Sequence, residues 1–140
     1  PKPSHSSFYN GAFVITPNHK EAAQMAGMLE NNGPEIDLVG NKLRENHGAN
    51  ILITRGAKGM SLFELGKEPI LIPTKTQEVI DVSGAGDTVV AAIGLALAAK
   101  ATLHEASILA NYAAGIVVGK RGTSSVSKEE LIQSLLRDHR

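Results

Sequence analysis

The chain has 140 residues, a length that suits one compact domain. Its 14 basic and 14 acidic residues balance, so charge gives no support to nucleic-acid or membrane-surface binding. The sequence contains no cysteine, which excludes a disulfide framework and a thiolate metal site and fits the cytoplasmic location that we expect. No apolar run reaches the roughly 20 residues that span a bilayer, and no signal-peptide pattern is visible.

The first half of the chain alternates strands and helices. A short run of β-branched and apolar residues is followed by Asn18, a typical helix N-cap, with Glu21 in the capping-box position. The predicted strands are 12–15 and 51–54, followed by a hairpin of 60–65 and 69–72. The predicted helices run from 18 to about 29 and from 36 to 45.

Helices dominate the second half. The apolar pattern predicts helices over 87–99, 103–118 and 128–137, the last two with N-caps at Thr102 and Ser127. Ser127 and Glu130 form a second capping-box pattern. Early alternation followed by helices predicts an α/β layered fold with a mostly parallel sheet flanked by helices.

The sequence Gly84-Ala85-Gly86-Asp87 directly precedes an apolar helix. The glycines let the backbone approach a ligand, and the helix start offers unpaired N–H groups and a positive dipole end. These groups suit a phosphoryl group, and the Asp87 carboxylate could then accept a proton from an attacking hydroxyl. The alternative interpretation is a tight turn followed by an ordinary first-turn acid. The residues alone leave both open.

The sequence Asn18-His19-Lys20-Glu21 places an amide and a carboxylate on one helix face after a strand. Such a pair could organise magnesium-bound water near the phosphates of a nucleotide. The alternative is that both side chains only cap the helix.

Residues 54–59 also follow a predicted strand. Thr54, Gly56 and Gly59 could let a nucleotide lie against the backbone, with Lys58 available for phosphate. An ordinary turn between strands explains the same residues. Asn111 could line an adenine pocket or satisfy a buried backbone group. The five histidines show no metal-binding spacing, so we expect them at the surface.

Taken in order, these motifs resemble the ribokinase-like pfkB family of carbohydrate kinases. An NxxE motif, a TxGxxG motif, a close variant of the D-[TS]-x-G-A-G-D signature and a later Asn follow one another here as they do there. The variant, residues 81–87, has Val82 where the family often has a small hydroxyl residue. The resemblance implies a ribokinase-like fold and ATP-dependent, Mg²⁺-dependent transfer to a sugar or sugar phosphate.

The resemblance also implies roles for individual residues. Asp87 would be the general base, and the amides of Gly84, Ala85 and Gly86 would form the anion hole. Asp81 and Ser83 would belong to a monovalent-cation site suited to K⁺. The nucleotide and its magnesium would be bound by Asn18, His19, Lys20, Glu21, Thr54, Gly56, Gly59 and Asn111, with Asn18 and Glu21 acting on the metal through water.

Residues 110–127 further resemble the heptose 7-phosphate kinases, which implies transfer to the anomeric position in the synthesis of ADP-heptose for lipopolysaccharide core. A complete family member is roughly twice this long. We therefore expect residues 1–140 to be the C-terminal part of a kinase domain whose N-terminal sugar-binding half and lid are absent, and expect it to be inactive alone. The complete enzyme would be a homodimer through the lid. Two alternatives stay open: a catalytically silent nucleotide-binding or assembly module, and a kinase for another sugar or a nucleoside.

Overall fold

A computed structural model describes residues 1–28, 35–74, 84–120 and 124–137. The chain opens with a 3-10 segment, Pro3–Tyr9, and a second short 3-10 turn spans Gly56–Lys58. The four strands are β1 (Val14–Ile15), β2 (Asn50–Thr54), β3 (Met60–Phe63) and β4 (Ile70–Ile72). The five helices of the described part are α1 (His19–Met25), α2 (Ile36–His47), α3 (Ala85–Ala98), α4 (Leu103–Val118) and α5 (Lys128–Arg137).

The strands form one sheet in the order β1-β2-β3-β4. β1 pairs with β2 in parallel, with Val14 opposite Asn50, whereas the β2–β3 and β3–β4 pairs are antiparallel. The α/β prediction is confirmed, but the described sheet is mixed rather than mostly parallel. The cause is connection length, because parallel neighbours need a long crossover and the short links after β2 and β3 permit only antiparallel pairing.

The chain divides into two compact units, which are described separately. The first comprises Pro1–Gly56 and Met60–Ile72 and contains the whole sheet. Its core joins one sheet face to α1 and α2 through buried side chains that include Ile51, Ile53 and Phe63. Helix α2 lies close to β3 at Gly40, where an added Cβ would overlap the Phe63 ring. This position therefore has room only for glycine.

Two side chains of α2 fix the loops of the first unit. His47 was expected at the surface, but it is buried, with its Nδ1 2.7 Å from Asn10 Oδ1 and its Nε2 3.1 Å from Ser6 Oγ. These bonds tie the opening 3-10 segment to the end of α2. Arg44 donates to the carbonyl oxygens of Glu64 and Lys67 at 2.6 and 2.7 Å, which anchors the β3–β4 turn.

The second unit comprises Ala57–Gly59 and Pro73–Arg140 and contains α3, α4 and α5. Helix α3 packs along α4 through its buried residues Val89, Ile93 and Ala96. Both predicted caps are confirmed, because Thr102 and Glu105 form a reciprocal capping box at α4 and Ser127 and Glu130 form one at α5. Helix α3 begins two residues earlier than the predicted boundary.

Candidate active site

The ends of β1 and β2 bring two predicted motifs together in the first unit. The Thr54 amide donates to the Pro17 carbonyl at 3.0 Å, and Asn18, beyond the end of β1, forms a parallel bridge with Thr54, the last residue of β2. Asn18 of the NxxE motif and Thr54 of the TxGxxG motif are therefore neighbours. They lie at the carboxyl ends of parallel strands, the edge at which open α/β sheets usually bind ligands.

The predicted capping box of α1 is present. Asn18 Oδ1 accepts from the amides of Lys20 and Glu21 at 3.0 and 2.9 Å, and Glu21 Oε2 accepts from the Asn18 amide at 2.8 Å. Glu21 Oε1 and Asn18 Nδ2 make no hydrogen bond with any described residue. Capping therefore leaves one carboxylate oxygen available, and oxygen is the ligand that magnesium prefers. His19 and Lys20 are exposed on the first turn of the helix.

The backbone conformation explains the two glycines of residues 54–59. Gly56 and Gly59 have φ of 57° and 80°, in the region that residues with a Cβ rarely adopt. Gly56 faces open space, and the exposed Lys58 ends the short 3-10 turn. Arg55 lies inside the motif, and its guanidinium donates to Ser61 Oγ at 3.1 Å. This bond fixes the Arg55 side chain.

The first turn of α3 carries the Gly-Ala-Gly-Asp motif in the second unit. Gly84 is the N-cap, with φ of 78°, and it offers no capping side chain. The amides of Ala85, Gly86 and Asp87 precede the first intrahelical bond, which runs from the Thr88 amide to the Gly84 carbonyl at 3.0 Å. A Cβ added at Gly86 would meet nothing within 4 Å. The start of α3 is therefore open to an approaching anion.

Thr88 is a positioning residue to which we assigned no role from the sequence. Its Oγ1 donates to the Gly84 carbonyl at 3.0 Å, in addition to the bond from its amide. The available signal was its place in the first turn, where a threonine hydroxyl can bond the carbonyl four residues earlier.

Asp87 stands at the third position of α3 and is exposed. It makes no hydrogen bond or ion pair with any described residue. A carboxylate beside the first amides of a helix can accept a proton while the amides stabilise negative charge. The arrangement is therefore suited to activating a hydroxyl for attack on a phosphoryl group.

The remaining predicted site residues are Asn111, Asp81 and Ser83. Asn111 is buried in α4, and its Nδ2 donates to the Pro73 carbonyl at 2.7 Å. This bond matches the alternative in which Asn111 satisfies a buried backbone group. The contact with adenine stays a prediction. Asp81 and Ser83, the predicted cation ligands, lie outside the described residues. Within the described ranges, no three His, Asp or Glu side chains are grouped so that they could hold a metal. No helix in the same ranges has the length and apolar character needed to cross a membrane.

Comparison with known proteins supports the resemblance. The family model described as "pfkB family carbohydrate kinase" matches residues 1–130. The bifunctional protein HldE of Nitrosococcus oceani is 49% identical over 138 residues, which cover 96% of this chain and 28% of that protein. Among solved structures, ribokinase from Thermotoga maritima superposes with a TM-score of 0.84 at 26% identity, covering 94% of this chain and 44% of the other. Arabidopsis thaliana ribokinase, solved with ribose and ATP, gives a TM-score of 0.81 at 26% identity, with coverage of 93% and 43%.

Proposed function

We propose that this chain, which belongs to the pfkB family of carbohydrate kinases, supplies the nucleotide-binding and catalytic-base part of an ATP-dependent sugar kinase. The observation that carries the proposal is the open first turn of α3, where Asp87 is exposed and makes no bond to any described residue. The chain spans 28% of its Nitrosococcus relative and under half of the ribokinases. We call the longer kinase that would carry it the parent enzyme.

In the proposed reaction, Asp87 accepts the proton of a sugar hydroxyl while the hydroxyl oxygen attacks the γ-phosphorus of ATP. The bond between that phosphorus and the β,γ-bridging oxygen breaks, and ADP leaves with the electron pair. The amides of the N-cap Gly84 and of Ala85 and Gly86 in the first turn of α3 would stabilise the charge on the transferred group. These amides and the helix dipole offset the repulsion between the carboxylate and the phosphoryl oxygens.

The nucleotide would be bound by the motifs at the ends of β1 and β2 and by Asn111. Thr54, Gly56 and Gly59 would contact it through backbone and hydroxyl groups. The free carboxylate oxygen of Glu21 suits a magnesium-bound water, and Asn18 holds this helix turn in place. Magnesium would neutralise phosphate charge during transfer.

The oxygen atoms of Asp81 and Ser83 suit a hard monovalent cation such as K⁺. Cations of this kind are bound in proteins by oxygen ligands, and a carboxylate with a hydroxyl supplies two. We keep this role as a proposal that rests on the family signature.

We further propose heptose 7-phosphate as the acceptor, with transfer to its anomeric hydroxyl in the cytoplasm. The support is the resemblance of residues 110–127 to heptose 7-phosphate kinases, together with the 49% identity to the Nitrosococcus protein. The product would be a heptose 1,7-bisphosphate on the route to ADP-heptose. The sugar contacts and the homodimer interface would lie in the remainder of the parent enzyme.

The parent enzyme tests this function directly. With Mg-ATP we expect it to phosphorylate heptose 7-phosphate, with a new anomeric phosphate signal in ³¹P NMR. We expect at least about a hundredfold lower kcat/KM for ribose and fructose 6-phosphate, because a site that binds polar groups of its substrate rejects analogues that lack them. A higher kcat/KM for another sugar would overturn the assignment of heptose 7-phosphate as the substrate. If no sugar is phosphorylated, the assignment of kinase activity is overturned.

The 140-residue chain provides a second test, against a catalytically silent binding module. We expect it to bind Mg-ATP in a calorimetric titration but to transfer no phosphate to sugar. Sugar phosphorylation by this chain alone would contradict the proposed division of labour. A parent enzyme that binds ATP but transfers nothing would favour the silent module.

A further inference from the structure

Two buried polar side chains of α4, Ser107 and Asn111, lie one turn apart on the same face of the helix. Ser107 Oγ donates to the Leu103 carbonyl at 2.7 Å, so its bond stays within α4. Asn111 Nδ2 donates at 2.7 Å to the carbonyl of Pro73, which lies 38 positions earlier in the chain. Asn111 therefore attaches a distant part of the chain to α4. We call this bond the tether.

The chemistry of proline makes the tether important for the position of Pro73. A proline has no amide hydrogen, so its carbonyl is its only backbone group that can form a hydrogen bond. Pro73 is also exposed, so packing contributes little to holding it. Because the proline ring fixes φ at roughly −65°, a carbonyl held by Asn111 sets the direction in which the chain leaves Pro73.

Helix α4 holds the chain on both sides of residues 74–83. Before these residues, Asn111 binds the Pro73 carbonyl. After them, the chain enters α3, which packs along α4. The turn that begins at Gly84 and carries Asp87 therefore lies, along the chain, between two attachments to the same helix.

We propose that Asn111 is a positioning residue for this turn: by holding the Pro73 carbonyl to α4, it fixes the chain ahead of Gly84 and keeps the Asp87 carboxylate aligned with the neighbouring amides. The inference rests on the proposed function, in which this turn supplies the base. A displacement of about 1 Å is enough to lower a rate about a hundredfold, so loss of the tether should lower kcat. A carboxamide has two N–H donors and an acceptor oxygen, so the tether and the proposed contact with the nucleotide can coexist.

Amide hydrogen exchange in the 140-residue chain tests the tether without catalysis. The amides of Thr88 and Ala106 form the first helical bonds of α3 and α4, at 3.0 and 2.9 Å. Asn111→Leu has a similar size but no donor, and we expect it to speed exchange at Thr88 by about tenfold through local opening, with no change at Ala106. Ser107→Ala is the matched control and should leave exchange at Thr88 unchanged, because the bond that it removes stays within α4.

Asn111→Asp tests the donor itself and replaces the leucine variant if that variant does not fold. At neutral pH its carboxylate cannot donate to the Pro73 carbonyl, whereas in acid its protonated carboxyl can. We expect the exchange rate at Thr88, divided by that of the original chain at the same pH, to be about ten at neutral pH and to approach one in acid. Unchanged exchange at Thr88 would overturn the proposal. Equal acceleration at Ala106 would also overturn it, because the substitution would then act on stability in general.

The parent enzyme tests the consequence for catalysis. With saturating Mg-ATP and sugar phosphate, we expect Asn111→Leu to lower kcat by about tenfold or more, while Ser107→Ala keeps the original kcat. A changed Kd for ATP with an unchanged kcat would limit Asn111 to the nucleotide contact and overturn its positioning role. If the exchange results hold but the unsubstituted parent enzyme transfers no phosphate, the proposed function fails and the tether between Asn111 and Pro73 stands.

Discussion

The first turns of α3 and α4 carry an acid at the same position but use it differently. At α4, the Glu105 carboxylate accepts from the Thr102 amide at 2.8 Å, and Thr102 Oγ1 accepts from the Glu105 amide at 3.2 Å. At α3, Gly84 replaces the capping residue, and Asp87 makes no bond to any described residue. The α4 turn satisfies its own polar groups, whereas the α3 turn leaves amides and a carboxylate for a ligand. Of these two acids, the one without a capping partner is the one to which we assign a role in catalysis.

A large effect on catalysis is expected from closing the open turn with a side chain. Gly86→Val adds a side chain whose Cβ would meet nothing within 4 Å, so the chain should fold with a stability within about 1 kcal/mol of the original. In the parent enzyme we expect kcat/KM to fall by about a hundredfold or more, because displacement of the phosphoryl group by about 1 Å is enough for such a loss. Gly86→Ala should give a smaller loss. Unchanged steady-state kinetics for Gly86→Val would show that no ligand approaches this turn.

The two helical glycines sharpen the contrast between packed and open surfaces. Gly40→Ala should lower the free energy of unfolding by about 1–3 kcal/mol, because the new Cβ overlaps the Phe63 ring. Gly94→Ala in the 140-residue chain should raise it by about 1 kcal/mol, since the helix gains propensity and meets no atom. Urea denaturation of both variants measures the difference. A destabilising Gly94→Ala would mean that another part of this chain packs against α3 at this position.

The first turn of α4, whose polar groups bond one another, should contribute to stability and not to catalysis. Thr102→Ala removes the cap of α4 and should lower the free energy of unfolding by about 1 kcal/mol. In the parent enzyme its kcat should remain that of the unsubstituted protein. Denaturation and steady-state kinetics measured on the same preparations check both parts. A large loss of kcat with normal stability would remove the distinction between the two turns.

The smallest expected effect is the pH dependence that the cap of α4 contributes to stability. Hydrogen bonds from the Thr102 amide and hydroxyl hold the pKa of Glu105 below its ordinary value. Because the folded pKa is the lower one, the stabilisation is fully present above the unfolded pKa and is lost as pH falls through the folded pKa. The stability difference between the original chain and Glu105→Gln should therefore be present at neutral pH and vanish in acid. A difference that stays constant across this range would contradict the capping role.

Much of the fold could be predicted from local patterns. The helix starts at Asn18, Thr102 and Ser127 follow from capping chemistry, and the β3–β4 hairpin follows from its short link. Tertiary packing could not be predicted in the same way. His47 reads as a surface residue, and it is buried because the opening segment folds back over α2 to reach it.

The sequence predicts the individual residues of the candidate site but only part of their spatial arrangement. The sequence shows Asn18 and Thr54 after two strands, and only the parallel pairing of β1 with β2 makes them neighbours. For Asn111 the sequence offered two roles, and the structure shows the bond to the Pro73 carbonyl. That bond depends on residues 38 positions apart, a distance over which local patterns carry no information.

The central claim is that Asp87 acts as the base while its counterpart Glu105 only caps a helix. Asp87→Asn and Glu105→Gln, made in the parent enzyme, are measured with saturating Mg-ATP and sugar phosphate, together with the Kd for ATP. We expect Asp87→Asn to lower kcat by about 10²–10⁴-fold with an unchanged Kd, because proton transfer is lost while nucleotide contacts remain. Glu105→Gln should keep the original kcat. An unchanged kcat in Asp87→Asn, or an equal loss in both variants, would contradict the assignment.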